Sequence, residues 1–226
     1  MNSNKIGVLG LGNRSTLFYI NALNERYNQI YKGFSTFPFI LYNSNFNEIN
    51  PFLPNDFVNL EGVLLRHLNE IKRLGIDFLT IPNITLHETF DRLKFGMLVS
   101  HPVKLTIEKL IDNNEKEAVI FGSLYTMQSE HLKSSFEQEG IALFEPSIID
   151  KEFVDQIRQD VYLGLESSSQ MNEFNNLIRS YANERPVIIG CTELSIMLLE
   201  NPINIYDMAS LQIENTLNYY QKTIND

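Results

Sequence analysis

The feature that most constrains this chain is one local pattern, repeated. A short apolar run meets a polar or glycine-bearing turn, and a helical stretch often follows. Residues 5–9 (KIGVL) run into Gly10-Leu11-Gly12-Asn13-Arg14-Ser15-Thr16, after which Leu17, Ile20, Leu23 and Tyr27 recur at helical spacing. Residues 37–42 read as a second strand, followed by Asn43-Ser44-Asn45-Phe46. Residues 77–81 read as a third, ending in Pro82-Asn83-Ile84-Thr85-Leu86-His87. Between these two, residues 57–74 are amphipathic and close at Gly75, a suitable helix stop. The pattern returns at 118–122 before Ser123-Leu124-Tyr125-Thr126, and further strands are expected at 141–144, 186–190 and 203–206. Strands alternating with helices of ten or more residues require parallel βαβ units with right-handed crossovers, so the fold class is α/β. In such sheets ligands bind outside the carboxyl ends of the strands, which is where these polar turns fall. Residues 95–102 break the pattern and read as a crossing between two halves.

Charge and cysteine usage narrow the function. The 226 residues carry a formal charge of -10, which argues against nucleic acid and anionic membranes as partners, since both need a basic face. An anionic small molecule remains open, because it answers to a local site. A single cysteine leaves no intramolecular disulfide and no cysteine-rich zinc motif, and the four histidines sit in no metal-ligand pattern. No metal or cofactor is expected. The start of the chain lacks a basic-then-apolar leader, and no apolar run reaches membrane-spanning length, so a soluble, cytoplasmic protein is expected.

Two turns invite chemistry. The Gly10-Leu11-Gly12 turn resembles a dinucleotide fingerprint only in part. Ser15 stands at the third glycine position, and the second strand ends in Asn43-Ser44 where an acid would hold a ribose. A short anion-binding turn fits better, with Ser15 or Thr16 placed to cap the helix. The second turn follows the strand Val187-Ile188-Ile189 and reads Gly190-Cys191-Thr192-Glu193-Leu194. Cys191 there sits at a strand end and over a helix start, where backbone N–H groups and the helix dipole favour a thiolate or a bound carboxylate. A buried cysteine packing as a small hydrophobe is the competing reading. Thr192 and Glu193 could equally be a capping hydroxyl and a first-turn acid, and Asn83 and Thr85 turn and N-cap residues.

VIIGCTELSIML at 187–198, GVLGLGNRSTLFY near the N-terminus, LYNSNFNEI, IPNITLH and FGSLYTM occur in an order that resembles the aspartate/glutamate racemase family, particularly its E. coli-like branch. The resemblance spans nearly the whole chain, through Ile205-Tyr206-Asp207. It implies two pseudo-symmetric, doubly wound α/β domains with parallel sheets, residues 1–96 with 207–226 and residues 97–206, and an active site in the cleft between them. It also implies cofactor-independent (PLP-independent) racemisation of aspartate or glutamate by two thiols flanking the α-carbon, in a homodimer. Cys191 corresponds to the second thiol. The first lies in a Cys-Asn-Thr string before a His, where this chain has Asn83, Ile84, Thr85 and His87. An amide neither accepts nor delivers an α-proton, so the symmetric mechanism cannot run unaltered; relatives in the E. coli-like branch that lack the first thiol carry Thr there.

The resemblance makes Cys191, Asn83 and His87 the catalytic candidates. Ser15, Thr16, Ser44, Ile84, Thr85, Thr126, Thr192 and Glu193 are the candidates for substrate contact. Three functions remain open: a racemase or epimerase for an acidic amino acid, a one-thiol enzyme like the superfamily's arylmalonate decarboxylases, and a catalytically impaired binder of a small carboxylate.

Overall fold

The computed structural model describes residues 5–199 and 203–225. The chain divides into two compact units, residues 1–101 with 212–226, and residues 102–211. In the first lie β1 (Lys5–Gly10), α1 (Asn13–Tyr31), β2 (Ile40–Asn43), α2 (Phe57–Arg73), β3 (Ile76–Thr80), α3 (Leu86–Leu93) and β4 (Leu98–Val99). The second holds α4 (Pro102–Asp112), β5 (Glu117–Phe121), α5 (Leu124–Met127), α6 (Glu130–Gln138), β6 (Ala142–Phe144), α7 (Ile148–Leu163), α8 (Ser168–Ala182), β7 (Val187–Ile189), α9 (Thr192–Met197) and β8 (Ile205–Asp207). A last helix, α10 (Met208–Asn225), begins in the second unit, and from Gln212 onward its residues belong to the first.

Each unit contains one four-stranded sheet, ordered β2-β1-β3-β4 and β6-β5-β7-β8, with every pairing parallel. The expected α/β class is therefore what the chain adopts, and the two sheets repeat one topology. The central strands are covered on both faces, so they read as continuous apolar runs: Val187, Ile188 and Ile189 are all fully buried. In the second unit one side of this sheet, Val119, Phe121, Val187 and Ile189, packs in one cluster with Val154, Ile157 and Val161 of α7 and Phe174 and Ile178 of α8. In the first, Leu60, Leu64, Leu68 and Ile71 form the inward stripe of α2 against Leu9 and Leu79. Each such side chain contributes roughly 1.5–3 kcal/mol by leaving water.

Local chemistry sets the boundaries. Gly75 adopts φ +71 just beyond α2, the left-handed stop expected of it. The second strand starts at Ile40, inside the expected 37–42 run, because Pro38 has no N–H for the ladder. β4 was not expected at all: two residues, Leu98 and Val99, pair with Phe78 and Leu79 within the segment read as a crossing. No helix among the described residues is long and apolar enough to cross a membrane.

His67, which has no suggestive partner in the sequence, lies on the α2 stripe with 6% exposure. Its Nδ1 is 3.2 Å from the Tyr42 hydroxyl, and its Nε2 finds no hydrogen bond among the described residues. Burial, aided by the charge on Arg66 and opposed by Glu48, lowers its pKa below the ordinary value near 6.5. The folded state therefore holds it neutral, and its contribution to stability is present above pH 6.5 and lost as pH falls through that region. Urea unfolding should show wild type weakening between pH 7.5 and pH 5.5, and His67→Leu should flatten that slope. Parallel pH profiles for the two proteins would refute this role.

Candidate active site

Because each sheet is parallel, the turns that follow its strands gather along one edge. In the first unit this edge carries the turns after β1, β2 and β3. Leu11 N–H donates to Thr16 Oγ1 at 3.0 Å, and Ser15 Oγ donates to the Gly12 carbonyl at 3.1 Å. Both hydroxyls are buried and engaged in folding their own turn. The capping expected of Ser15 or Thr16 is not what they do: Gly12 is the N-cap of α1 and both residues lie inside the helix. Ser44 is tied to the same strand end, its N–H and its hydroxyl both donating to the Gly10 carbonyl at 2.9 and 3.0 Å. The β1 and β2 ends approach so closely that a Cβ on Gly10 would stand 2.3 Å from Asn43 Oδ1.

After β3, Asn83 Oδ1 accepts from Leu86 N–H at 3.0 Å, bracing the start of α3. Thr85 is the N-cap by position but its side chain makes no capping bond, and it is half-buried. Ile84 is buried at 7% exposure. His87, at 1% exposure, is held in a polar network inside the unit. Its Nε2 lies 3.3 Å from the Ile81 carbonyl and 3.2 Å from Gln212 Nε2, and its ring meets that of His101 edge-on at 4.8 Å. His101 in turn reaches Asp91 at 3.1 Å, a partner the sequence did not suggest.

In the second unit the turns after β5 and β7 meet around Thr126. Ser123 caps α5, accepting from Thr126 N–H at 3.2 Å, and the two hydroxyls lie 2.9 Å apart. A Cβ on Gly122 would fall 2.9 Å from Thr126 Cβ, and one on Gly190 3.1 Å from Thr126 Cγ2, so both glycines are there to let Thr126 in. Gly190 N–H donates to the Phe121 carbonyl at 2.7 Å. Cys191 follows as the N-cap of α9, a place the sequence had offered to Thr192, which is instead the first helical residue and buried at 3% exposure.

The thiol is half-buried, and Sγ donates to Glu193 Oε2 at 3.0 Å. Burial first, then the adjacent Glu193 charge and this hydrogen bond, push the Cys191 thiol well above its ordinary value; Arg158 acts the other way. That direction runs against the thiolate expected from the helix start. α9 is only six residues long, and its dipole does not offset burial beside a carboxylate. Ser195, one turn on, donates to Asp207 Oδ1 at 2.6 Å and to the Cys191 carbonyl at 3.2 Å. Burial raises Asp207 despite those bonds.

Sequence reasoning missed Ser195, Asp207, Asp155 and Arg158. The last two form an i,i+3 pair on α7, a spacing common to any solvated helix, and α7 shares a packed cluster with Cys191 through its apolar residues. No group of three or more His, Cys, Asp or Glu among the described residues could hold a metal ion.

No protein-family model and no curated protein matches the chain. Solved structures do. The chain is similar to an aspartate racemase homologue from Pyrococcus horikoshii, with TM-score 0.82 and 20% identity over 96% of this chain and 99% of that one. It is similar to the aspartate racemase of Picrophilus torridus, with TM-score 0.74 and 17% identity over 96% and 95%. A glutamate racemase from Francisella tularensis, solved in complex with D-glutamate, matches with TM-score 0.63 and 12% identity over 99% of this chain and 84% of that one. At these identities the likeness is one of fold.

Proposed function

We propose that this chain is a cofactor-independent racemase or epimerase of an acidic amino acid, working by removal and return of the α-proton. The observation that carries the reading is the hydrogen bond from Cys191 Sγ to Glu193 Oε2 at 3.0 Å, at the end of a central strand. A thiol bonded to a carboxylate can pass its proton to that carboxylate and become the base, or keep it and act as the acid. Glu193 is then the group that sets which form Cys191 takes. Solved proteins of this fold that are named as aspartate and glutamate racemases support the substrate class. Carbanion formation beside a carboxylate is costly, and Thr16, Thr85, Thr126 and Thr192 are the proposed sources of hydrogen bonds to the substrate, while Ser15 and Ser44, whose hydroxyls donate to the Gly12 and Gly10 carbonyls, would have to break those bonds to join them. His87 is proposed as a proton relay rather than a direct acid, given its burial. The active form is proposed to be a homodimer.

With Asn83 in place of the other thiol, the two directions are unequal. Enantiomer ratios followed by chiral chromatography from saturating pure D- and saturating pure L-aspartate or glutamate should show slow turnover with unequal kcat in the two directions, the ratio of kcat/KM being held at one by the equal free energies of the enantiomers. Asn83→Cys should speed conversion and bring the two directions together. Equal kcat values in wild type, unchanged by Asn83→Cys, would refute the asymmetric scheme.

One observation favours a second reading. A thiol that donates to Glu193 Oε2 carries a proton, which suits delivery to one face of a carbanion left by loss of carbon dioxide. Release of carbon dioxide from an α-substituted malonate, with none of the acidic amino acids converted, would move that reading ahead.

A further inference from the structure

Cys191 stands at the head of a helix too short to hold itself in place. α9 has six residues, well below the ~12–15 that an isolated helix needs in water. Leu194 and Met197 anchor it in the apolar cluster of the second unit, but apolar burial is non-directional and does not fix how the helix is turned. Two polar ties do that. At the far end Asn175 of α8, which is buried, donates from Nδ2 to the Met197 carbonyl at 2.7 Å and accepts from Leu199 N–H at 3.0 Å. At the thiol end the tie is Ser195. Its buried hydroxyl has one proton for two acceptors, Asp207 Oδ1 at 2.6 Å and the Cys191 carbonyl at 3.2 Å. The shorter contact is that of a hydroxyl donating to a carboxylate. Asp207 is itself fixed, because it caps α10: its carboxylate accepts from Ala209 N–H at 3.4 Å and from Ser210 N–H at 3.1 Å.

We propose that Asp207, acting through Ser195, is a positioning residue for the Cys191 thiol. The Cys191 carbonyl also accepts from Leu194 N–H and Ser195 N–H, both at 3.1 Å. With the Ser195 hydroxyl beside them, these donors fix the peptide plane that follows Cys191. The Cys191 ψ of 128° relates that plane to the Cα–Cβ bond, and so to where sulfur points. Sγ then meets Glu193 Oε2 at 3.0 Å within the same turn. Without the tie to Asp207 the turn is free to move, and that bond lengthens. The role in turnover rests on the racemase reading, but the placement of the thiol does not.

Cys191 is the sole cysteine, so the S–H stretching band of the intact chain, in a spectral window clear of other protein bands, reports on it alone. Raman spectra should place the wild-type band below that of an unbonded thiol. Ser195→Ala should move it up toward the unbonded position, and so should Asp207→Ala. Asp207→Asn should recover most of the wild-type frequency, because an asparagine amide still bonds to Ser195 Oγ and still caps the helix. With saturating acidic amino acid, Ser195→Ala should lower kcat for α-proton exchange about tenfold and leave KM within about twofold. Circular dichroism identifies the folded variants, and Asp207→Ala provides a second test should Ser195→Ala not fold. A merely structural tie would weaken resistance to urea and leave the band in place. A wild-type band in either folded alanine variant therefore overturns the proposal, as does a displaced band with unchanged kcat. An Asp207→Asn band displaced as far as that of Asp207→Ala also overturns it. Absence of α-proton chemistry in wild type would instead end the racemase reading and leave the Raman result to decide the placement of the thiol.

Discussion

Cys191→Ser should remove α-proton exchange with acidic amino acids, a loss of at least about a hundredfold. The two side chains are nearly isosteric, so the fold should be kept, but a serine hydroxyl is a far weaker acid than a thiol. Glu193 takes a proton from sulfur only in an uphill step, and taking one from a serine hydroxyl is several pKa units harder still. Mass spectrometry of aspartate and glutamate recovered from heavy water would measure the loss, with circular dichroism as the control on folding. Exchange by Cys191→Ser at the wild-type rate would show that the thiol is not the group that meets the α-carbon.

The largest effect on stability is expected from Gln212→Leu. Gln212 is fully buried, accepts from the Tyr19 hydroxyl at 2.5 Å, and donates to the Ser100 carbonyl at 2.6 Å and the Ile81 carbonyl at 3.4 Å. Its amide nitrogen also lies 3.2 Å from His87 Nε2. Leucine fills similar space but answers none of these groups. Each buried polar group that loses its partner costs about 1–3 kcal/mol, so a loss of about 3 kcal/mol or more is expected in urea unfolding. A change below about 1 kcal/mol would mean the network is satisfied in some other way. His87 belongs to this network, so the same variant reports on whether its burial is structural.

How far the chain could be read from its sequence depended on which force decided each feature. The α/β class was legible because covered parallel strands read as apolar runs: Val187, Ile188 and Ile189 announce β7, and Gly75 announces the end of α2. β4 was not legible, since two residues carry no period and its pairing with Phe78 and Leu79 is a long-range fact. The place of Cys191 at a strand end and helix start was legible; its charge state was not. A helix start argues for a thiolate by about 0.3–1 kcal/mol, while burial and a carboxylate two residues along argue against it more strongly. The Glu193 contact could have been suspected from spacing alone, whereas the Asp155–Arg158 pair needed α7 to be seen packed in the cluster that holds Cys191. Ser15 and Thr16 were expected to cap α1, but Gly12 does so, and the hydroxyls turn inward to stabilise the glycine turn.

The central claim is that this chain exchanges the α-proton of an acidic amino acid. Wild type incubated in D₂O with D- and L-aspartate and D- and L-glutamate, followed by proton NMR of the α-hydrogen, tests it most directly. The account predicts that the α-hydrogen signal of at least one enantiomer disappears while the side-chain signals persist. Four undiminished α-hydrogen signals, with calorimetry showing that one of these amino acids binds, would contradict it.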